Sequence, residues 1–171
     1  AGTLGLGNLI AFWDDNGISI DGHVDGWFTD NTPMRFEAYG WHVLHVEDGN
    51  TDLDAIAKAI EEAKSVTDKP TMIKVTTIIG YGAPNKQNTG GIHGTALGED
   101  EIKLTRKNLG WNYEPFEIPD EALNHMRKAV ERGAADEQAW NQVMSDYKAK
   151  YAQEAAEFER FLSGKLPDGW S

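Results

Sequence analysis

Residues 41–78 carry the pattern that most restricts how this chain can fold. Trp41–Val46 is a short apolar run typical of a strand, and residues 71–78 are rich in the β-branched side chains that strands favour. Between them, Thr51-x-x-Asp54 resembles a capping box, and the apolar residues that follow share one helical face: Leu53, Ile56, Ile60 and Ala63. A strand, a helix and a strand joined by short connections predict a parallel α/β sheet.

A second apolar run, Asn8–Trp13, ends in the polar residues 14–17. Because the run lacks polar alternation, it predicts a strand buried on both faces of the sheet. The polar residues then lie at the carboxyl end of that strand, where open α/β sheets collect ligands. The side-chain oxygen of Asn16 and the main-chain oxygen of Ile18 suit magnesium, which prefers oxygen ligands. A plain Asp/Asn turn is the alternative, and the local pattern alone favours it.

Residues 80–98 form a long stretch rich in glycine and asparagine, and loops of this length are uncommon unless they are functional or mobile. Gly80-x-Gly82 lets a phosphate approach the backbone, although an ordinary loop explains two glycines equally well. His93 stands in Gly90-Gly91-Ile92-His93-Gly94, and its imidazole can donate to a phosphate or move a proton. An ordinary surface histidine is the alternative. The stretch matches neither a P-loop nor a Gly-x-Gly-x-x-Gly fingerprint.

The last third of the chain has helical composition. We predict helices at 99–109, 120–132 and 136–162. In the last of these, four large side chains recur at three- and four-residue spacing, which predicts that they pack in a core: Trp140, Val143, Tyr147 and Tyr151.

The charge balance limits the partners. The chain has 16 Lys+Arg against 28 Asp+Glu, a net charge of −12. Nucleic acid and anionic membranes are therefore not expected as partners, because binding them needs a basic surface. The longest purely apolar run, residues 9–13, is far too short to span a bilayer. The absence of cysteine excludes disulfides and cysteine-bound zinc.

Seven segments spread along the chain match the motifs of one family in the same order. They are Leu6–Ile10, Asp14–Gly22, Arg35–Trp41, Pro70–Lys74, Thr76–Gly82, Ile92–Gly94 and Leu166–Trp170. On these residues the chain resembles the transketolases, which use thiamine diphosphate in the pentose phosphate and Calvin pathways. The loop Gly82–Lys86 is similar to the form found in plant and bacterial members.

The resemblance implies an α/β thiamine-diphosphate-binding fold, present in part: a parallel sheet with flanking helices, followed by a helical C-terminal portion. It implies that residues 1–98 are the latter part of the diphosphate-binding domain and include the glycine-rich cofactor loop. Residues 99–164 are then the helical part of the same domain. We expect residues 165–171 to be a linker towards a pyrimidine-binding domain that lies outside this sequence.

Functional roles follow from the resemblance where single residues match. Asn16 and the main-chain carbonyl of Ile18 match ligands of the divalent metal, Mg²⁺ or else Ca²⁺ or Mn²⁺. Ile20 and Ile79 match apolar residues that lie against thiamine diphosphate. His93 matches the histidine that contacts the diphosphate and is implicated in proton transfer, so it is expected to be both cofactor-binding and catalytic.

The implied reaction moves a two-carbon ketol unit from a ketose phosphate, such as xylulose 5-phosphate, to an aldose phosphate. The family implies a homodimer, soluble in the cytoplasm or the plastid stroma. Dihydroxyacetone synthase or another thiamine-diphosphate transferase is an alternative, as is a non-catalytic binding module derived from a transketolase. A Rossmann-type nucleotide binder rests only on fold analogy.

The sequence departs from the family in two respects. Residues 89–91 are Thr-Gly-Gly where many relatives carry Ser or His before the Val/Ile-His-Gly motif. The Gly-Asp-Gly motif, which supplies a metal-binding aspartate, does not occur in these 171 residues, and neither does the domain with the activating glutamate. We therefore expect a fragment of a transketolase that is inactive alone and exposes an apolar sheet edge.

Overall fold

A computed structural model describes residues 1–170, which divide into two compact units, one of residues 1–112 and one that begins at Tyr113. The first unit contains, in chain order, β1 (Ile10–Asp15), β2 (Ile18–Ser19), β3 (Gly22–His23), α1 (Thr32–Ala38), β4 (His42–Val46), α2 (Leu53–Ser65), β5 (Thr71–Thr76), a 3₁₀ helix (Gly90–Ile92) and α3 (Glu99–Asn108). The second unit contains α4 (Asp120–Lys150) and α5 (Ala152–Leu162).

A three-stranded parallel sheet forms the centre of the first unit, in the order β1–β5–β4. Thr71 pairs with both Ile10 and His42, so the three strands start at the same level. The predicted parallel sheet with a helical crossover between β4 and β5 is confirmed. β5 is the strand with neighbours on both sides, and it is the most deeply buried, through Thr71, Met72, Ile73 and Val75.

The hydrophobic core lies between α2 and the sheet. Its buried members come from two strands and the helix, and they are Val46, Ala59, Ala63, Ile73 and Val75. The apolar face predicted for α2 contributes to this core, because Ile56 and Ile60 pack against its edge. The small side chains of the two alanines let the helix approach the sheet closely.

The start of α2 differs from the predicted capping box. Asp52 is the N-cap, and its side chain accepts a hydrogen bond from the backbone N–H of Ala55 at 2.8 Å. The hydroxyl of Thr51 instead donates to the carboxylate of Asp48. The prediction is wrong by one residue because a contact from outside the helix engages the threonine, which leaves capping to the carboxylate that follows it.

The burial expected of β1 is wrong. Phe12 is 52% exposed, because β1 lies at the edge of the sheet and pairs only with β5 among the described residues. An apolar run specifies a strand, but what packs on its two faces decides how much of it is covered. Among the described residues β1 is an edge strand with an exposed apolar side chain, as we expected.

α4 is continuous where the sequence predicts two helices. It runs for 31 residues through Gly133, because the cost of one glycine in a helix, about 1 kcal/mol, is offset by the strong helix formers around it. The break comes instead at Tyr151, whose backbone is not helical (φ −133°, ψ 63°) and which separates α4 from α5. The predicted helix at 136–162 therefore spans two helices.

The stripe predicted to pack in a core is largely exposed. Trp140 is 53% exposed and Val143 is also exposed, while Tyr147 lies 5.3 Å from Tyr151, ring centre to ring centre. α5 is short and follows directly on α4, so within this unit it covers only the last turns of α4. The spacing correctly predicts a helix, but no described element of the unit covers the middle of α4.

The predicted helix at 99–109 is confirmed by α3. Residues 165–170 form neither helix nor strand, and their assignment as a linker stays a prediction. None of the described helices is both long enough and apolar enough to cross a membrane.

Candidate functional site

The carboxyl ends of β1 and β5 lie side by side, and polar residues collect there. Asp15 pairs with Thr76 in the sheet, and the backbone N–H of Thr77 donates to the carbonyl oxygen of Asp15 at 3.3 Å. The Thr77 hydroxyl also donates to the carboxylate of Asp14. The position predicted for the polar residues is confirmed, and these contacts tie them to the start of the glycine-rich loop.

Asn16 forms the turn that leads from β1 into the β2–β3 hairpin. Its side-chain oxygen accepts a hydrogen bond from the backbone N–H of Ile18 at 3.0 Å. Gly17 between them has φ of +67°, a left-handed conformation that glycine adopts without strain. This is the turn that the local pattern favours. An amide oxygen carries two lone pairs, so the turn and a metal-ligand role are compatible.

The hairpin holds its two isoleucines differently. Ile18 pairs with His23 and is buried, whereas Ile20, at the tip of the hairpin, is 72% exposed. Ile18 therefore anchors the turn and offers only its backbone to a ligand. The side chain of Ile20 is accessible for contact with the apolar part of a ligand.

The segment that precedes His93 packs backbone to backbone against this hairpin. A β-carbon on Gly90, in the 3₁₀ helix, would lie 2.7 Å from the carbonyl oxygen of Ile20, so a larger residue would force the two apart. Ile92 in turn covers Gly80, where a β-carbon would lie 2.0 Å from the Cδ1 atom of Ile92. These contacts bring together the three backbone segments that the sequence selected.

Ile79 and His93 belong to those segments. Ile79 is half-buried, and its carbonyl oxygen accepts a hydrogen bond from the backbone N–H of Asn88 at 2.9 Å. His93 directly follows the 3₁₀ helix, its backbone N–H donates to the carbonyl oxygen of Gly90 at 3.1 Å, and its side chain is exposed. The imidazole is therefore accessible while its backbone is held.

The glycine-rich loop is fastened to α3 by residues that the sequence analysis did not select. Glu101 is buried, and its carboxylate accepts hydrogen bonds from the backbone N–H of Asn85 at 2.8 Å and from the Asn85 side chain at 2.9 Å. These bonds, with a smaller contribution from the charge of Lys86, lower the pKa of Glu101. The acid is thus held ionised against the loop.

A second set of contacts joins the segment just before this loop to the connection between β4 and α2. The side-chain oxygen of Asn50 accepts a hydrogen bond from the backbone N–H of Ile78 at 3.0 Å. Asn50 is held by Asp48, whose carboxylate accepts from the Asn50 backbone N–H at 2.8 Å. Hydrogen bonds from the Thr51 hydroxyl and from the Asn50 backbone lower the pKa of Asp48. Asp-x-Asn after a strand is a local turn signal that could have indicated this contact.

A cleft of about 490 Å³ lies beside β1, and its lining includes Asn16, Gly17 and Ile18. The described residues contain no group of three or more His, Asp or Glu side chains that could hold a metal ion. The side chain of Asn16 and the carbonyl of Ile18 offer two neutral oxygens, and Asp14 and Asp15 line the same cleft. Hard oxygen donors of this kind suit Mg²⁺, Ca²⁺ or Mn²⁺ and leave room for phosphate oxygens and water. The residues therefore fit a metal–diphosphate group.

Comparison with known proteins decides the family. The model of the family described as transketolase, thiamine diphosphate binding domain, matches residues 1–167. This chain belongs to the transketolase family. It is 71% identical to a transketolase of Nostoc sp. over 170 residues and 58% identical to transketolase 1 of Escherichia coli over 167 residues. Both matches span nearly the whole chain, 99% and 98%, but only 25% of each relative.

Solved transketolases share the fold. The Pichia stipitis enzyme in complex with sedoheptulose 7-phosphate matches with a TM-score of 0.86 and 47% identity. The Leishmania mexicana transketolase matches with a TM-score of 0.89 and 36% identity. Each match covers 99% of this chain and 25% of the solved chain. The chain thus spans about a quarter of the length of the transketolases that it matches, and the predicted thiamine-diphosphate-binding fold is confirmed.

Proposed function

We propose that this chain forms the diphosphate end of a thiamine diphosphate site in a transketolase. The enzyme would transfer a two-carbon ketol unit from a ketose phosphate to an aldose phosphate. The observation that carries the proposal is the convergence of the hairpin at residues 18–23, the loop after β5 and the segment before His93 at the carboxyl edge of the sheet, in a chain of this family.

Electrostatics gives the metal its role. The chain has a net charge of −12, so a diphosphate needs a neutralising cation in order to bind. Asn16 and the carbonyl of Ile18 would hold that cation, Mg²⁺ or else Ca²⁺ or Mn²⁺. Because both ligands are neutral, the positive charge of the metal remains available to the phosphate oxygens.

The remaining site residues would bind and orient the cofactor. Ile20 and Ile79 would provide apolar contacts, one from an exposed hairpin tip and one from the loop after β5. His93 would donate a hydrogen bond to the diphosphate and move a proton near the substrate, since an imidazole can both donate and accept a proton. Thiamine diphosphate, when bound, supplies the electron sink for carbanion chemistry, and the protein orients it.

The division of the chain follows from this assignment. Residues 1–98 would hold the cofactor loop, residues 99–164 would be the helical part of the same domain, and residues 165–171 would link it to a pyrimidine-binding domain. Sugar phosphates as substrates are supported by the Pichia stipitis transketolase, which was solved in complex with sedoheptulose 7-phosphate. The homodimer and the compartment, cytoplasm or plastid stroma, stay predictions.

A chimeric enzyme tests the proposal. This chain replaces the matching segment of the Nostoc transketolase, to which it is 71% identical, and ketol transfer is measured with xylulose 5-phosphate and an aldose phosphate. We expect activity within about tenfold of the parent enzyme, because the site residues are retained. A chimera that folds and dimerises like the parent but transfers no ketol would overturn the proposal.

Two variants of the chimera test the metal ligand. Asn16→Ala should raise the Mg²⁺ concentration needed for half-maximal activity by about tenfold or more, as the loss of a metal contact does. Asn124→Ala is the matched control, because that asparagine is exposed on α4. An equal Mg²⁺ requirement in the two variants would show that Asn16 is not a ligand.

A further inference from the structure

Glu101 is the only charged side chain that is buried among residues 1–170, and it is 7% exposed. A buried carboxylate is costly unless hydrogen bonds satisfy it. Here one residue supplies a hydrogen bond to each carboxylate oxygen. The backbone N–H of Asn85 donates to Oε1, and the Asn85 side chain donates to Oε2. None of the roles proposed above uses this acid.

We propose that Glu101 is a positioning residue for cofactor binding. Through Asn85 its carboxylate holds the glycine-rich loop in the conformation that presents Ile79 and His93 to the diphosphate. The inference rests on the proposed function and extends it to a residue that need not touch the cofactor.

Hydrogen bonds lead from Asn85 towards His93. Lys86, the next residue, donates from Nζ to the carbonyl oxygen of Leu97 at 2.7 Å. The carbonyl oxygen of Lys86 accepts from the hydroxyl of Thr89 at 2.7 Å. Thr89 is the N-cap of the 3₁₀ helix, and His93 is its C-cap. The loop on both sides of His93 is thus fixed to the residue next to Asn85.

The other end of α3 holds the beginning of the loop. The side chain of Asn108 donates to the carbonyl oxygen of Gly82 at 2.9 Å, and Leu109 packs so closely that a β-carbon on Gly82 would lie 2.7 Å from it. Glu101 in the first turn of α3 and Asn108, its last residue, therefore hold the loop by hydrogen bonds at two points. A helix is a rigid platform for such contacts, and Glu101 is its only charged contact that is buried.

The carboxylate matters because its charge strengthens both hydrogen bonds that Asn85 donates. A glutamine at this position keeps one acceptor for the Asn85 backbone N–H and can face the Asn85 side chain only if that amide turns over, so Glu101→Gln replaces two charge-assisted hydrogen bonds by neutral ones. Asn85→Asp places two carboxylates against each other. When the two changes are combined, the new amide donates to the new carboxylate and still accepts from the backbone N–H of residue 85. The double variant therefore restores both hydrogen bonds.

The test measures the Kd of thiamine diphosphate at saturating Mg²⁺, together with the thermal midpoint of the apoenzyme, in the chimeric transketolase. Glu101→Gln and Asn85→Asp should each raise the Kd about tenfold, the size expected when hydrogen bonds to a charged group become neutral or are lost. Glu99→Gln is the matched control, since it removes the same charge from the same first turn but from an exposed side chain. It should change the Kd less than about twofold.

The double variant distinguishes a positioning role of Glu101 from a general effect on the stability of the enzyme. Destabilisation alone lowers the fraction of folded enzyme and leaves the Kd of that fraction unchanged. The double variant should return the Kd to within about threefold of the unmodified chimera. An active chimera in which Glu101→Gln behaves like Glu99→Gln, or in which the double variant binds no better than either single variant, overturns the inference alone. A folded chimera without activity overturns the proposed function as well.

Discussion

Adding one methyl group at Gly90 should displace the segment that carries His93. A β-carbon there would lie 2.7 Å from the carbonyl oxygen of Ile20 and 2.8 Å from the backbone nitrogen of Gly22. Carbon–oxygen contacts are ordinarily about 3.3 Å or longer, so the 3₁₀ helix and the hairpin must separate by about 0.5 Å or more. The obstacle is backbone on both sides, and no flexible side chain can move away.

The next glycine in the chain provides the matched control. A β-carbon on Gly91 would meet nothing closer than the Thr89 hydroxyl oxygen at 3.8 Å, and neither Gly90 nor Gly91 has positive φ. Alanine is therefore compatible with the backbone at both positions, and only the steric contact differs. Gly91→Ala should leave stability the same or raise it by up to about 1 kcal/mol through the unfolded state.

The assay compares the two variants in the chimeric transketolase. Gly90→Ala should cost about 1–3 kcal/mol of local stability, as overpacking does, and lower kcat/KM about tenfold, since small misplacements of catalytic groups are expensive. Amide hydrogen exchange of residues 18–23 and 89–94 reports the first effect, and ketol transfer reports the second. If Gly90→Ala gives the same result as Gly91→Ala in both measurements, the 3₁₀ helix does not pack as closely against the hairpin as these distances imply.

Four further substitutions test the core, the site and the response to acid separately. Ile73→Ala should lower the free energy of opening of β5 by about 2–5 kcal/mol in hydrogen exchange, because Ile73 is fully buried; Ile20→Ala should leave it unchanged but raise the Kd of thiamine diphosphate several-fold. The lowered pKa of Asp48 means that its stabilisation is complete above the ordinary pKa of 3.8 and is lost as the pH falls through the lower folded-state pKa. Asp48→Asn should therefore weaken the pH dependence of urea unfolding below about pH 4, and an unchanged slope would contradict this. His93→Ala should lower kcat/KM by about 10²–10⁴, as the loss of a proton-transfer group does, whereas His125→Ala on the exposed face of α4 should not.

The fold of the first unit could be predicted because its signals are local. The strand–helix–strand pattern from β4 to β5 depends on periodicities within each element, and it is confirmed. The burial of β1 could not be predicted, since the apolar run that contains Phe12 is the same for a central strand and an edge strand. Likewise the spacing of Trp140 and Val143 marks a helical face without specifying what covers it.

Some residues of the candidate site could be predicted from the sequence, and others could not. Asn16 stands in an Asp/Asn turn and His93 in a glycine-rich segment, both visible in the sequence, and the segments that hold them converge with the loop after β5. Glu101 could not be found in this way, because a glutamate in the first turn of a helix is explained by the helix dipole, as Glu99 is. Its partner Asn85 is 16 residues away, and only the packing of α3 against the loop brings the two together.

Different groups determine the shape of the candidate site and its charge. Backbone packing at Gly90 and the buried carboxylate of Glu101 fix the shape within residues 1–112. Two lysines near this edge already have partners: Nζ of Lys86 donates to the carbonyl oxygen of Leu97, and Lys74 forms an ion pair with Asp15 at 2.9 Å. Under the proposed function, a diphosphate bound to this acidic chain would rely on a divalent cation for much of its neutralisation. The two neutral oxygens proposed as ligands leave the charge of that cation to the phosphate.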